Sequence, residues 1–178
     1  FTDGYTNESP AGAAGSYWDV GNVDGTYPAP YGGGTASSNT IADYAMYGYV
    51  TNLRSDLPAG KVPVSNACRN TPIPNGLDCN ANLHMNFYGV TLGARGAVYD
   101  VDTAATSNPY ANAPNWAATG TTNTDPSNVD HIWHAALNSR GEFINATSPT
   151  EITEAMCRIL ASVNEGGSSA DTIGVTGA

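Results

Sequence analysis

From Met85 to Val163 the chain alternates short apolar runs with amphipathic helical patterns, and that alternation restricts the fold more than any other feature. "MNFYGVTLGA" (Met85–Ala94) is rich in β-branched and aromatic residues and reads as a buried strand. "SNVDHIWHAALN" follows, with Ser127 and Asp130 spaced as a capping box and an apolar face of Val129, Ile132, Trp133 and Ala136. "GEFINA" (Gly141–Ala146) is a second short strand. "SPTEITEAMCRILASV" then has Ser148 as cap, Pro149 at the first helical position and Glu151 completing another box. Its stripe of Ile152, Ala155, Met156, Ile159, Leu160 and Val163 is strongly amphipathic. Strands separated by helices pair in parallel, with the helices covering the sheet.

The front of the chain adds less. A helix is expected over "SSNTIADYAMYGYVTNL", capped by Ser38 or Asn39, with Ile41, Ala42, Ala45, Tyr49 and Leu53 on one face. "FTDGY" (Phe1–Tyr5) reads as the end of a buried strand turning into a loop. This makes about three strands, against the five or six of a doubly wound sheet, so further strands are expected upstream of Phe1. Residues 6–37 and 99–126 are dense in turn signals and have no period; stretches so long inside a domain are expected to be ordered, functional or packing loops. Residues 1–164 thus read as part of one α/β domain and 165–178 as a flexible linker.

Composition bounds the partners. With 6 basic and 16 acidic residues the net charge is -10, which argues against nucleic acid and anionic membranes. No apolar run approaches the roughly 20 residues of a membrane span. Only 12 % of residues are charged, a balance that suits ordered loops on an extracytoplasmic protein. Cys68 and Cys79 bracket the turn-rich "RNTPIPNGLD" and are expected to form a local disulfide. Cys157 is left over, off the centre of its helix's apolar stripe, with a partner outside the chain or a free thiol both open.

Candidate chemistry is sparse. Asp3 stands at the carboxyl end of a strand, where ligands gather in open α/β sheets, and is either a ligand of a hard divalent cation or a turn cap. "DVGNVDGTYP" (Asp19–Pro28) offers Asn22 and Asp24 at calcium-loop offsets, but it lacks the first oxygen and the closing glutamate and reads better as a turn held by Asx bonds. His131 and His134, three apart on a helix, are expected to be solvated or capping. Asn7 and Asn145 open glycosylation sequons. Tyr17, Trp18, Tyr27 and Tyr31 either line a binding surface or pin their loop. There is no nucleophile elbow, zincin motif or Walker loop, so catalysis is not expected.

Several segments together carry a family resemblance. "FTDGY", "YWDVGNVDGTYPAPY", "SSNTIADYAMYGYVTNLRSDLP", "KVPV", "HMNFYGVTLGARG" and "DHIWHAALNSRGEFINATSPTEI", in this order, resemble the PilY/PilC type of type IV pilus tip and assembly adhesins. The matching region is the C-terminal part of the family's von Willebrand factor A-like domain. The resemblance implies a partial, Rossmann-like parallel sheet with covering helices and long loops, the N-terminal half of the domain lying upstream. It implies a non-enzymatic binding module, secreted through the periplasm to the pilus tip at the cell surface. There it would support pilus assembly and attachment, with pilins or minor pilins and a host or abiotic surface as partners. Asp3 matches the third loop of a metal-ion-dependent adhesion site for magnesium or calcium, whose D-x-S-x-S first loop and second-loop threonine are absent from this chain. The alternative is a complete small secreted domain with hydrolase or glycan-binding activity.

Overall fold

The computed structural model describes residues 19–32, 37–119 and 126–167. The elements are α1 (Ile41–Val50), β1 (Gly89–Leu92), α2 (Thr103–Ser107), α3 (Ser127–Asn138), β2 (Phe143–Ala146) and α4 (Pro149–Gly167), with short 3-10 turns at Asp24–Thr26, Asn66–Arg69 and Trp116–Thr119. β1 and β2 pair in parallel, Gly89 opposite Phe143 and Leu92 opposite Ala146. The fold is α/β, and the β1–α3–β2–α4 run is the part of a Rossmann-like sheet that the sequence pattern led us to expect.

Helices cover the two faces of this sheet. On one side Val90 and Ile144 pack against Ala155 of α4, with Ile159 beside them. On the other, Trp133 and Leu137 of α3 join Val98, Ala105 and Trp116, with Phe143 of β2, Tyr99 and Tyr110 packed around them. α3 comes so close to β1 that a Cβ on Gly89 would collide with Ile132 Cγ2. The glycine at this strand position is required by that approach. α1 lies on α3, away from the sheet.

Several boundaries differ from expectation. The sheet has two strands among the described residues, and the strand end at Phe1–Thr2 lies outside them. β1 is shorter than Met85–Ala94 because residues 85–87 bond elsewhere: Met85 N–H donates to Gly48 O at 2.9 Å and Phe87 N–H to Ser139 Oγ at 2.7 Å. They tether β1 to α1 and α3 instead of extending the ladder.

α1 is capped by Thr40, not by Ser38 or Asn39; Thr40 Oγ1 accepts from Asp43 N–H, and Asp43 Oδ2 accepts from Thr40 N–H. Asn39, at φ 60°, instead accepts from the N–H groups of Val20 and Gly21. The buried face is Ala42, Asp43, Met46 and Tyr49, about one residue out of register with the expected stripe, because the carboxylate of Asp43 is turned inward to hold residues 23 and 24. Leu53 lies past the helix end. α3 also lacks the expected box: Ser127 is its first residue, no side chain caps it, and Asp130 bonds to another loop. In α4, Ser148 Oγ accepts from Glu151 N–H as expected, but Glu151 reaches back to Thr147, whose N–H and hydroxyl both donate to it. The 99–126 stretch is only partly irregular, since Asp102 caps the short α2 within it.

Candidate functional site

Two clusters flank α3, one at each end of the sheet. At the carboxyl end Asp130 is fully buried and accepts from three successive amides, Ala97 at 2.7 Å, Val98 at 3.2 Å and Tyr99 at 2.7 Å. Burial pushes its carboxyl up, against the pull of those amides and of His131. The loop 96–99 is therefore an anion-binding nest filled by the protein's own aspartate. A Cβ on Gly96 would strike that carboxylate. Beside it, Asn145 of β2 accepts from Thr91 Oγ1 at 3.0 Å and from Ala94 N–H at 2.9 Å, and donates to Ala94 O at 2.8 Å. The sequon asparagine thus clamps the ends of both strands.

The second cluster lies along α3 toward its C-terminus, near the amino ends of the strands. His134, expected to be solvated or capping, is 3 % exposed. Its ring lies on Trp116 with centroids 4.0 Å apart, and its Nε2–H donates to Tyr31 O with Asp24 Oδ2 at 3.4 Å. Helical spacing alone could not reveal that the 24–32 segment closes over this face. Burial holds the imidazole at a pKa of about 4, so it is neutral near pH 7. Asn138 Nδ2 donates to Asp24 Oδ2 and Ala42 O, and Trp116 Nε1 donates to Pro30 O at 2.7 Å. A histidine beside an aspartate resembles hydrolase machinery, but this ring is closed off from solvent and its N–H is committed to a backbone carbonyl. The arrangement holds a loop.

Arg140 follows α3 at φ 59° and sits over the Tyr31 ring at 3.8 Å and the Tyr49 ring at 4.6 Å. Tyr110 meets Tyr31 edge-on at 6.0 Å, and burial raises its phenol well above the ordinary range. The Cys68–Cys79 disulfide forms as expected, and its loop packs against Tyr110 at Gly76.

Of the candidate residues, Tyr31 is placed in this cluster, its ring against Arg140 and Tyr110 and its carbonyl on His134. Tyr27 is half-buried at the end of the Asp24–Thr26 turn, where Asn22 Oδ1 accepts from Gly25 N–H in the expected Asx manner. Asp3, Asn7, Tyr17 and Trp18 lie outside the described residues. Cys157 is a free, exposed thiol. Among the described residues no three His, Cys, Asp or Glu side chains converge as a metal site, and no helix is long and apolar enough to cross a membrane.

The architecture defines a partial Rossmann-like α/β segment whose loops are locked by aromatic and carboxylate contacts. Comparison with known proteins gives it a context. The chain is similar to the type IV pilus biogenesis factor PilY1 of Pseudomonas aeruginosa strains PAO1 and PAK, 29 % identical to each across 89 % of its length. It is 32 % identical over 58 % of its length to PilY1 of strain UCBPP-PA14. It spans 15 % of the length of the first two proteins and 8 % of the third. No protein-family model matches the chain. No solved structure matches it significantly.

Proposed function

We propose that this chain is a non-enzymatic binding segment of a type IV pilus-associated protein, supporting pilus assembly and attachment at the cell surface. The observation that carries this reading is the similarity to PilY1, which runs through 89 % of the chain rather than through one short motif. The von Willebrand A-like assignment is supported by the parallel β1–β2 pair with α3 and α4 on opposite faces. A disulfide and a low content of charge fit export to an oxidising compartment. On this reading the partners are pilins or minor pilins and a host or abiotic surface. Asp3 is the residue it assigns to a divalent cation, magnesium or calcium, with the remaining ligands supplied from outside this chain.

Retention of purified pilins and minor pilins by the protein, run beside screens for ester, peptide and glycan hydrolysis, tests the reading. Pilin retention without turnover is expected. Turnover that copurifies with the protein, with no pilin retained, would instead favour a secreted hydrolase.

A further inference from the structure

Asp78, next to Cys79 in the disulfide-closed loop, is the hub of a third polar network that the sequence pattern did not single out. Its Oδ2 accepts from His84 Nε2 at 2.8 Å and Asn86 Nδ2 at 3.0 Å, and its Oδ1 accepts from Asn80 N–H at 3.0 Å. The Tyr49 phenol of α1 reaches both this carboxylate and the Cys79 backbone, while Asn80 Nδ2 donates to Tyr49 O. Asn86 Nδ2 also donates to Ser139 O at 2.8 Å, just beyond α3. One carboxylate therefore joins the loop to α1 and to the end of α3.

The His84 side chain is 5 % exposed and lies edge-on to the Tyr49 ring at 5.1 Å. Its Nε2 faces the Asp78 carboxylate, and its Nδ1 faces the Asn82 carbonyl at 2.6 Å. A carbonyl oxygen only accepts, and so does an ionised carboxylate. Asp78 is kept ionised because its bonds from Asn80, His84 and Asn86 outweigh burial and hold its carboxyl below the usual range. An imidazole with both nitrogens on acceptors satisfies both only when it carries both protons.

We infer that His84 is a protonation-dependent latch, holding the disulfide-closed loop against α1 as an imidazolium and loosening it when one proton leaves. The charged and titratable groups facing it are Asp78 from the loop, Tyr49 from α1 and, across the Tyr49 ring, Arg140 from the α3–β2 turn. Burial keeps the Tyr49 phenol neutral near pH 7, and Arg140 carries a fixed charge spread over two rings. Asp78, at 2.8 Å from Nε2, is thus the ionic partner on which the latch depends.

Mass spectrometry on the intact exported protein tests this. Exchange of the His84 C2 hydrogen follows its titration, and amide exchange in peptides covering 78–86 follows the latch, from about pH 5 to 9. After correction for intrinsic rates, amide protection of Asn80 and Asn82 should fall about tenfold along the His84 titration curve. The step should be absent in Asp78→Asn, and His84→Gln should give pH-independent protection if Asp78→Asn does not fold. Protection that stays constant while His84 titrates, or a step of equal size in the variants, overturns the inference.

Discussion

Trp116 lies flat on the imidazole of His134, with ring centroids 4.0 Å apart and planes 10° from parallel. The stack joins the end of one loop to the middle of α3, and the same imidazole holds Tyr31 O from the other side. A neutral buried ring thereby locks two loops that have little secondary structure of their own.

This lock has a pH signature. The folded pKa of about 4 lies below the ordinary 6.5, so the unfolded state takes up the proton first as pH falls. The contribution is complete above pH 6.5 and is lost as pH falls from there to about 4, a total loss of roughly 3 kcal/mol. His134→Phe keeps the stack but cannot titrate. Urea unfolding at a series of pH values should show a shallower acid-side decline for the variant, below a plateau lowered by about 1–3 kcal/mol for the unmet Tyr31 carbonyl.

Asp130→Ala removes the acceptor for the amides of Ala97, Val98 and Tyr99. Leaving such groups unmet is expected to destabilise by about 3 kcal/mol, and Gly96→Ala should do comparable damage by displacing the same carboxylate. Chemical denaturation of the two variants checks both.

Asn145→Ala should lower stability by about 2–3 kcal/mol, because one side chain makes three bonds between β2 and the end of β1. Asn145→Asp keeps both acceptor bonds but sets a carboxylate against Ala94 O, and should fall between wild type and alanine in the same assay.

Reduction of Cys68–Cys79, or its replacement by serines, should cost about 3 kcal/mol through the freed 11-residue separation. Because Cys79 adjoins Asp78, amide protection over 78–86 should fall with it, while that of Val90 in β1 changes least.

Much of this fold was legible in the sequence where a local rule and a tertiary need coincide. The strand–helix–strand–helix run from β1 to α4 emerged because each element carries its own apolar period, although the cap expected for α3 did not form. The disulfide emerged because turn formers fill the short interval between Cys68 and Cys79. Asp130 misled because a carboxylate in the first turn of a helix looks like a capping partner, and the inward turn of Asp43 left no mark in the apolar stripe of α1. Asp43 does complete a cap with Thr40, yet it also turns inward to hold Val23 and Asp24, and Asp130 serves a distant loop entirely. His134 and His84 were hidden because the groups that bury them come from about 20 to 100 residues away or from an aperiodic loop, and period carries no information about such contacts.

The central claim concerns the pilus, and a segment exchange tests it most directly. The region of Pseudomonas aeruginosa PilY1 that matches this chain is replaced by the chain itself, and surface pili are counted against the same protein lacking the region. The account predicts that the exchanged protein assembles pili where the deletion does not, with Cys68→Ser/Cys79→Ser reducing the yield. An exchanged protein that is exported and stable yet assembles no more pili than the deletion would contradict it.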